Sequence, residues 1–97
     1  MAIETLPFDP ADYVTSAEDV EEYLRAAFED GSAAEIADAF GVVARARGMT
    51  ELARDTGLSR QALYKALSSD GNAGFATILA VAQALGFRLV PERIPAE

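Results

Sequence analysis

Apolar residues recur along most of this chain with the spacing of helices. Val20, Tyr23, Leu24, Ala27 and Phe28 fall at i, i+3, i+4, i+7 and i+8, one stripe of a helix that Gly31 is expected to end in the left-handed conformation. Thr15-Ser16-Ala17-Glu18 precedes it as a capping box, with Thr15 accepting from the backbone and Glu18 reaching back. A second box, Ser32-Ala33-Ala34-Glu35, opens a helix whose predicted buried face is Ile36, Phe40, Val43 and Ala44 and which stops before Gly48. Two short helices follow, Thr50 to Thr56 and Arg60 to Leu67, parted by Gly57-Leu58-Ser59. Ser68 to Asn72 reads as a loop. Phe75, Ile78, Leu79, Ala82 and Leu85 predict a last helix, closed by Gly86. Phe87-Arg88-Leu89-Val90 then alternates like a short strand, which Pro91 stops. Met1 to Val14 holds Pro7 and Pro10 without helical period, and reads as an extended arm with Leu6, Phe8 and Tyr13 packed on the body.

These elements add up to an all-α fold of five helices with an N-terminal arm and a short C-terminal strand. The 97 residues suit a single domain, 1–97, and leave no room for two. Its expected parts are the arm (1–14), a helical pair (15–47), the two short helices with the closing helix (49–86), and the strand with its tail (87–97). A chain of this length buries roughly 60–70% of its unfolded surface, enough to stand without staples.

Charge divides the chain more sharply than hydropathy does. Acids outnumber bases 16 to 8, a net charge of −8, and the excess is entirely N-terminal. Residues 1–40 hold eleven acids and one base, Arg25, whereas 41–97 hold seven bases and five acids. Solubility requires no such segregation, which points to two partners of opposite charge. On the first helix, Glu21-Arg25 and Arg25-Glu29 are ordinary i, i+4 support, but Glu18 and Glu22 repel at the same spacing. A basic partner relieves that repulsion, so Glu18, Glu21, Glu22 and Glu29 are the candidate contacts for one; a merely solvated face is the alternative.

The chain has no Cys and no His, which excludes disulfides, thiolate or imidazole metal sites, and Ser-His or Cys-His nucleophiles. No two carboxylates are arranged around a recognisable pocket, so an enzyme is not expected, nor any metal or cofactor. The longest uncharged run, Gly71 to Phe87, carries Asn72, Thr77, Gln83 and three glycines and falls short of the ~20 apolar residues of a membrane span. Met1 to Glu4 has no basic start and no apolar run after it, so a cytoplasmic protein without a leader is expected.

The segment Leu52 to Leu63 has the spacing of a helix-turn-helix. Ala53 is small where the second helix crosses, Gly57 supplies positive φ in the turn, Leu52, Leu58 and Leu63 reach the core, and Ser59 caps the second helix. With Leu63 and Leu67 inward at i, i+4, the outward set is Arg60, Gln61, Tyr64, Lys65 and Ser68. Such side chains read base edges and phosphates. Five bases face two acids across Arg45 to Lys65, a positive field where a major-groove helix needs one. Thr50 and Ser59, at the starts of the two short helices, complete the candidate DNA contacts. Tyr64 has an alternative use against the last helix, and Arg45 and Arg47 one at the C-terminal dipole of their own helix.

Three runs, Ala44 to Thr50, Thr56 to Ser68 and Phe75 to Leu79, together with Gly71-Asn72, Ala84-Leu85-Gly86 and the early Phe8-Asp9-Pro10-Ala11-Asp12-Tyr13, resemble the addiction-module antidote proteins. These are antitoxins similar to the HigA group, and the resemblance covers about Leu6 to Leu89, most specifically Gly57 to Asn72. It implies a lambda-repressor-like five-helix domain in a bacterial protein that neutralises a small basic toxin of the RelE/ParE superfamily. It further implies a dimer that represses its own operon on double-stranded operator DNA. Two positions depart from the family: Ala73 stands where Pro is usual, and Glu51 where a phosphate-contacting Gln is frequent. The Phe87 to Val90 strand is the expected seam of a homodimer, with Phe87 and Leu89 buried together. A free-standing phage-type repressor, or a helical interaction module without DNA binding, are the alternatives. A neighbouring toxin gene separates the first from the antitoxin, and salt-dependent operator binding excludes the second.

Overall fold

The computed structural model describes residues 10–68 and 73–95 and is all-helical across them, with five α-helices and no strand among the described residues. Leu6, Phe8, the Tyr13 side chain and most of the loop after Ser68 lie outside that description. Where the arm meets the body it is not extended: Pro10–Tyr13 form one 3-10 turn, begun by a proline whose fixed φ suits a first helical position, and Val14 enters the core.

Helix α1, Ala17–Asp30, starts one residue later than its sequence predicts. Ser16, not Thr15, is the N-cap, and Asp19, not Glu18, returns the bond. Both hydroxyls are competent caps; Asp19 decides, because its carboxylate accepts from the Thr15 and Ser16 N–H groups, each at 3.3 Å, and from the Thr15 hydroxyl. Those hydrogen bonds, first of all from the Thr15 backbone, hold the Asp19 carboxyl below the usual aspartate range. Gly31 is extended (φ −88°, ψ 153°) instead of left-handed, because Ser32 follows at once as the next N-cap and leaves no residue for a left-handed turn. Glycine is needed there for space: an added Cβ would lie 2.5 Å from the Ala27 carbonyl oxygen.

Helix α2, Ala33–Arg47, opens on the predicted Ser32/Glu35 box. Its burial exceeds one face: Ala37 and every residue from Ala39 to Ala44 are buried. A stretch apolar on all sides belongs inside, and α2 is packed by the 3-10 turn, α1, α3 and α5. The Phe28 ring stands edge-on to Phe40 (centroids 6.1 Å, 87°), yet Phe28 stays 46% exposed at the rim of the α1 stripe. Ile36 is only half-buried.

Helices α3 (Met49–Thr56) and α4 (Arg60–Ala66) are joined through Gly57, which takes the left-handed conformation its position predicts (φ 77°, ψ 8°). Leu52 and Leu63 are fully buried, and Leu58 and Ala53 pack at the edge of the same core. The end of α4 rests against the middle of α2 so closely that a Cβ on Gly41 would lie 2.6 Å from the Leu67 carbonyl oxygen.

Helix α5, Phe75–Ala84, buries Val81 and Ala82 and half-buries Ile78, Leu79 and Leu85. Phe75 belongs to the predicted stripe but is 70% exposed. It occupies the first turn, beyond the reach of the core, and side chains lean toward a helix N-terminus and so away from it. After Ala84, the Gly86 N–H donates to the Gln83 carbonyl and the Phe87 N–H to the Ala82 carbonyl, with Gly86 at φ 93°. This Schellman turn sends Phe87 back onto the core. The expected strand does not form: Phe87 and Leu89 are half-buried on the core and Arg88 and Val90 exposed, so the alternation persists, but no extended neighbour among the described residues offers a ladder. No helix among the described residues is long and apolar enough to cross a membrane.

In an exposed helix interior Gly→Ala is worth about 1 kcal/mol of added stability. Gly41→Ala is expected to do the opposite and destabilise by roughly 1–3 kcal/mol, because the methyl group overlaps backbone at Leu67. Urea unfolding gives the sign, and a stabilised variant would mean that α4 does not approach α2 this closely.

Candidate functional site

Helix α4 presents its outer face because both of its ends are fixed. Ser59 Oγ accepts from the Ala62 N–H at 3.0 Å. Before it, the Thr56 hydroxyl donates to the Leu52 carbonyl at 2.9 Å and accepts from the Leu58 N–H at 3.2 Å, stitching the turn around Gly57. With Leu63 and Leu67 buried, Arg60, Gln61 and Lys65 are exposed together. Tyr64 joins them at 47% exposure, outside the core, with the Arg60 guanidinium carbon 5.9 Å from its ring centroid. Thr50 is exposed at the start of α3. Two of the sequence candidates are partly committed: Ser59 accepts within its cap, and half-buried Ser68 donates to the Lys65 carbonyl at 3.2 Å.

The acids of this segment are drawn away from that face. Arg47 Nε meets Glu51 Oε1 at 3.3 Å, its Nη2 meets Asp55 Oδ2 at 3.4 Å, and its Nη1 donates to the Ala84 carbonyl at 3.2 Å. One side chain at the end of α2 thereby binds both acids between Arg45 and Lys65 and satisfies a carbonyl at the end of α5. Beside the role the sequence offered Arg47, complement to a helix dipole, the side chain makes these three contacts. Glu51, which stands where the family frequently has a phosphate-contacting Gln, is paired with Arg47.

Arg45, Arg54 and Arg60 line one open hollow of about 430 Å³ together with Gly48, Met49, Thr50, Glu51 and Tyr64. The sequence reading left Arg54 out, since 45, 54 and 60 share no helical spacing; only the fold of α2, α3 and α4 gathers them.

On α1, Glu18, Glu21, Glu22 and Glu29 are all exposed. Glu21 is less available than the others, because Arg25 Nη2 holds it at 3.0 Å. A second acidic surface went unrecognised: Asp30, Glu35 and Asp38 line an open cleft of about 490 Å³ between α1 and α2, with Tyr23, Ala26, Ala27 and Ala39 beneath them. The tight turn at Gly31 makes neighbours of carboxylates that belong to different helices. Phe87 and Leu89, the candidate seam, border a groove of about 600 Å³ with Phe28, Val90 and Ile94.

The sequence pattern of a family described as "Probable addiction module antidote protein" matches residues 4–92. The chain belongs to this family. An uncharacterized protein of Haemophilus influenzae is 44% identical to this antidote-family chain over 81 residues, 84% of either chain. No solved structure matches it significantly. An antidote has a toxin as its counterpart, and this antidote carries an acidic face on α1 and the α1–α2 turn and a basic one across α2, α3 and α4.

Arg47→Ala tests whether the stated contacts hold the antidote's end of α2 to α3 and α5. With the ion pairs and the bond to the Ala84 carbonyl all exposed, a loss of roughly 1 kcal/mol is expected, shared among them. Thermal unfolding of Arg47→Ala beside a Glu51→Ala, Asp55→Ala variant separates the terms: the carbonyl bond survives only in the latter, which should be the more stable.

Proposed function

We propose that this antidote is a cytoplasmic, single-domain antitoxin, without enzymatic activity or cofactor, that represses its own operon as a homodimer. In this reading α3 and α4 form a lambda-repressor-like helix-turn-helix of the HigA kind. The observation that carries it is the sequestration of Glu51 and Asp55 by Arg47, which leaves an exposed basic face on α4 in a chain of net charge −8. Arg60 and Gln61, near the capped start of α4, suit base edges; Lys65, Tyr64, Thr50 and the remaining hydroxyl hydrogen of Ser59 suit phosphates. Ser68, already bonded to Lys65, is the weakest member of the set.

Two-fold symmetry follows from the shortness of α4, which spans too few base pairs to select one operator alone. Phe87 to Val90 supports a seam, because Phe87 and Leu89 lie half-buried at the edge of the core with Val90 67% exposed beside them. A second copy would cover the apolar Phe87, Leu89 and Val90 together. The acidic half favours a basic toxin of the RelE/ParE type, met by Glu18, Glu22 and Glu29, with Glu21 contributing through its pair with Arg25.

Arg60→Ala is expected to cost about 1–3 kcal/mol of binding to a duplex from upstream of the gene and to relax one base position. Lys65→Ala should weaken all duplexes alike. Fluorescence anisotropy measures both, and unchanged binding in the double variant would remove α4 from the interface.

Reversal of Glu18 and Glu22 to Lys should slow association with a small basic RelE/ParE-type toxin while leaving helix content and DNA binding intact. Stopped-flow mixing at low salt reads the rate. A native rate in that variant would move the toxin contact off this face of α1, toward the Asp30, Glu35, Asp38 cleft.

A further inference from the structure

Most of the arginine hollow remains unused by the reading above, which draws on Thr50, Arg60 and Tyr64 at its edge. We propose that this hollow seats one backbone phosphate of the bound DNA, with Arg45 and Arg54 as its phosphate-holding residues. The proposal rests on the DNA-binding reading and extends it from the outer face of α4 to the junction of α2, α3 and α4.

Three independent elements deliver the cations: Arg45 from the last turn of α2, Arg54 from the second half of α3, Arg60 from the first residue of α4. Like charges do not gather in one concavity without cost, and a chain with eight surplus negative charges has no need of them for solubility. Among the described residues the lining holds three arginines and one acid, Glu51, and Arg47 Nε holds that acid. A planar guanidinium presents paired N–H donors that match two phosphate oxygens, a geometry lysine lacks, and all three cations here are arginines. Arg60 is steadied against the Tyr64 ring, and the Thr50 and Tyr64 hydroxyls add two donors of the kind that bind phosphate oxygens. The placement agrees as well. A helix lying in the major groove has the sugar-phosphate strands along its flanks, and the hollow flanks the N-terminal end of α4, beside the residues assigned to base edges. The hollow therefore sets the register of α4 and carries no sequence information of its own.

The test uses the intact chain with two duplexes of equal length, one from upstream of its gene and one of scrambled sequence, titrated over a range of KCl concentrations. Arg45→Ala and Arg54→Ala are each expected to weaken both duplexes about tenfold at low salt and to reduce the slope of log K against log salt by about one, with the preference between duplexes preserved. Arg54→Lys should keep the slope and recover only part of the affinity. If either alanine variant melts below the native chain, Arg45→Gln and Arg54→Gln carry the same comparison. An unchanged slope in the Arg45→Ala, Arg54→Ala double variant, against normal native binding, overturns the seat and leaves α4 as reader. A lost preference with an intact slope also overturns it, since the arginines would then touch bases. Failure of the native chain to bind either duplex overturns the DNA reading and the seat together.

Discussion

Burial of the middle of α2, Ala39 to Ala44, on every side is the constraint from which the rest of the fold follows. Its middle turns carry Phe40, Val42, Val43 and Ala44, and each neighbour is placed by the patch of α2 it covers. Gly41 marks the tightest approach, where absence of a side chain lets the end of α4 settle against the helix backbone. Interiors at crystal-like density leave little freedom to slide, so this close approach and the packing of α4 on α3 together set the face that α4 turns to solvent. The same helix supports α1 through Phe40 and Phe28. One central rod thus holds an acidic surface and a basic surface in fixed relation.

The two surfaces need insulation from each other as much as support. In a small molecule carrying ten surplus negative charges in its first forty residues, attraction between the halves is the obvious danger. Residues 45–65 contain acids of their own, and an uncommitted Glu51 or Asp55 would neutralise the nearby arginines at short range, where Coulomb terms are largest. Arg47 removes both at once. The molecule therefore commits one of its eight cations to the two acids that stand among the basic residues of 45–65. On α1 the single base has the converse effect: Arg25 takes Glu21 and thins an acidic face that would otherwise be denser.

Most of the architecture was legible in the sequence because it is written in local chemistry. The Ser32/Glu35 box, the left-handed Gly57, the Ser59 cap and the inward Leu63 and Leu67 depend on neighbours within four residues, and all stand where the pattern puts them. The shift from Thr15/Glu18 to Ser16/Asp19 arose where two adjacent hydroxyls and two adjacent carboxylates offered equivalent boxes. Phe75, Gly31 and the missing strand were misread for another reason. Whether a stripe position is covered, a turn has room, or an alternating segment finds a ladder depends on residues distant in sequence. The exposed members of the candidate site were legible as an outward set on α4, but Arg47 bonding to Ala84, thirty-seven residues away, was not. Nor was the gathering of Arg45, Arg54 and Arg60, which share no period.

Helix length has a consequence of its own. Isolated helices shorter than about 12–15 residues scarcely persist in water. At 14 and 15 residues, each begun by a reciprocal cap, α1 and α2 stand at that boundary, whereas α3 and α4 have eight and seven. The basic face therefore exists only as a product of tertiary structure, while part of the acidic one is encoded in segments with some helical character of their own. Partial loosening of the fold is not symmetrical between the two: the surface built from α3 and α4 dissolves first, and a fragment that keeps the α1–α2 hairpin keeps its negative field.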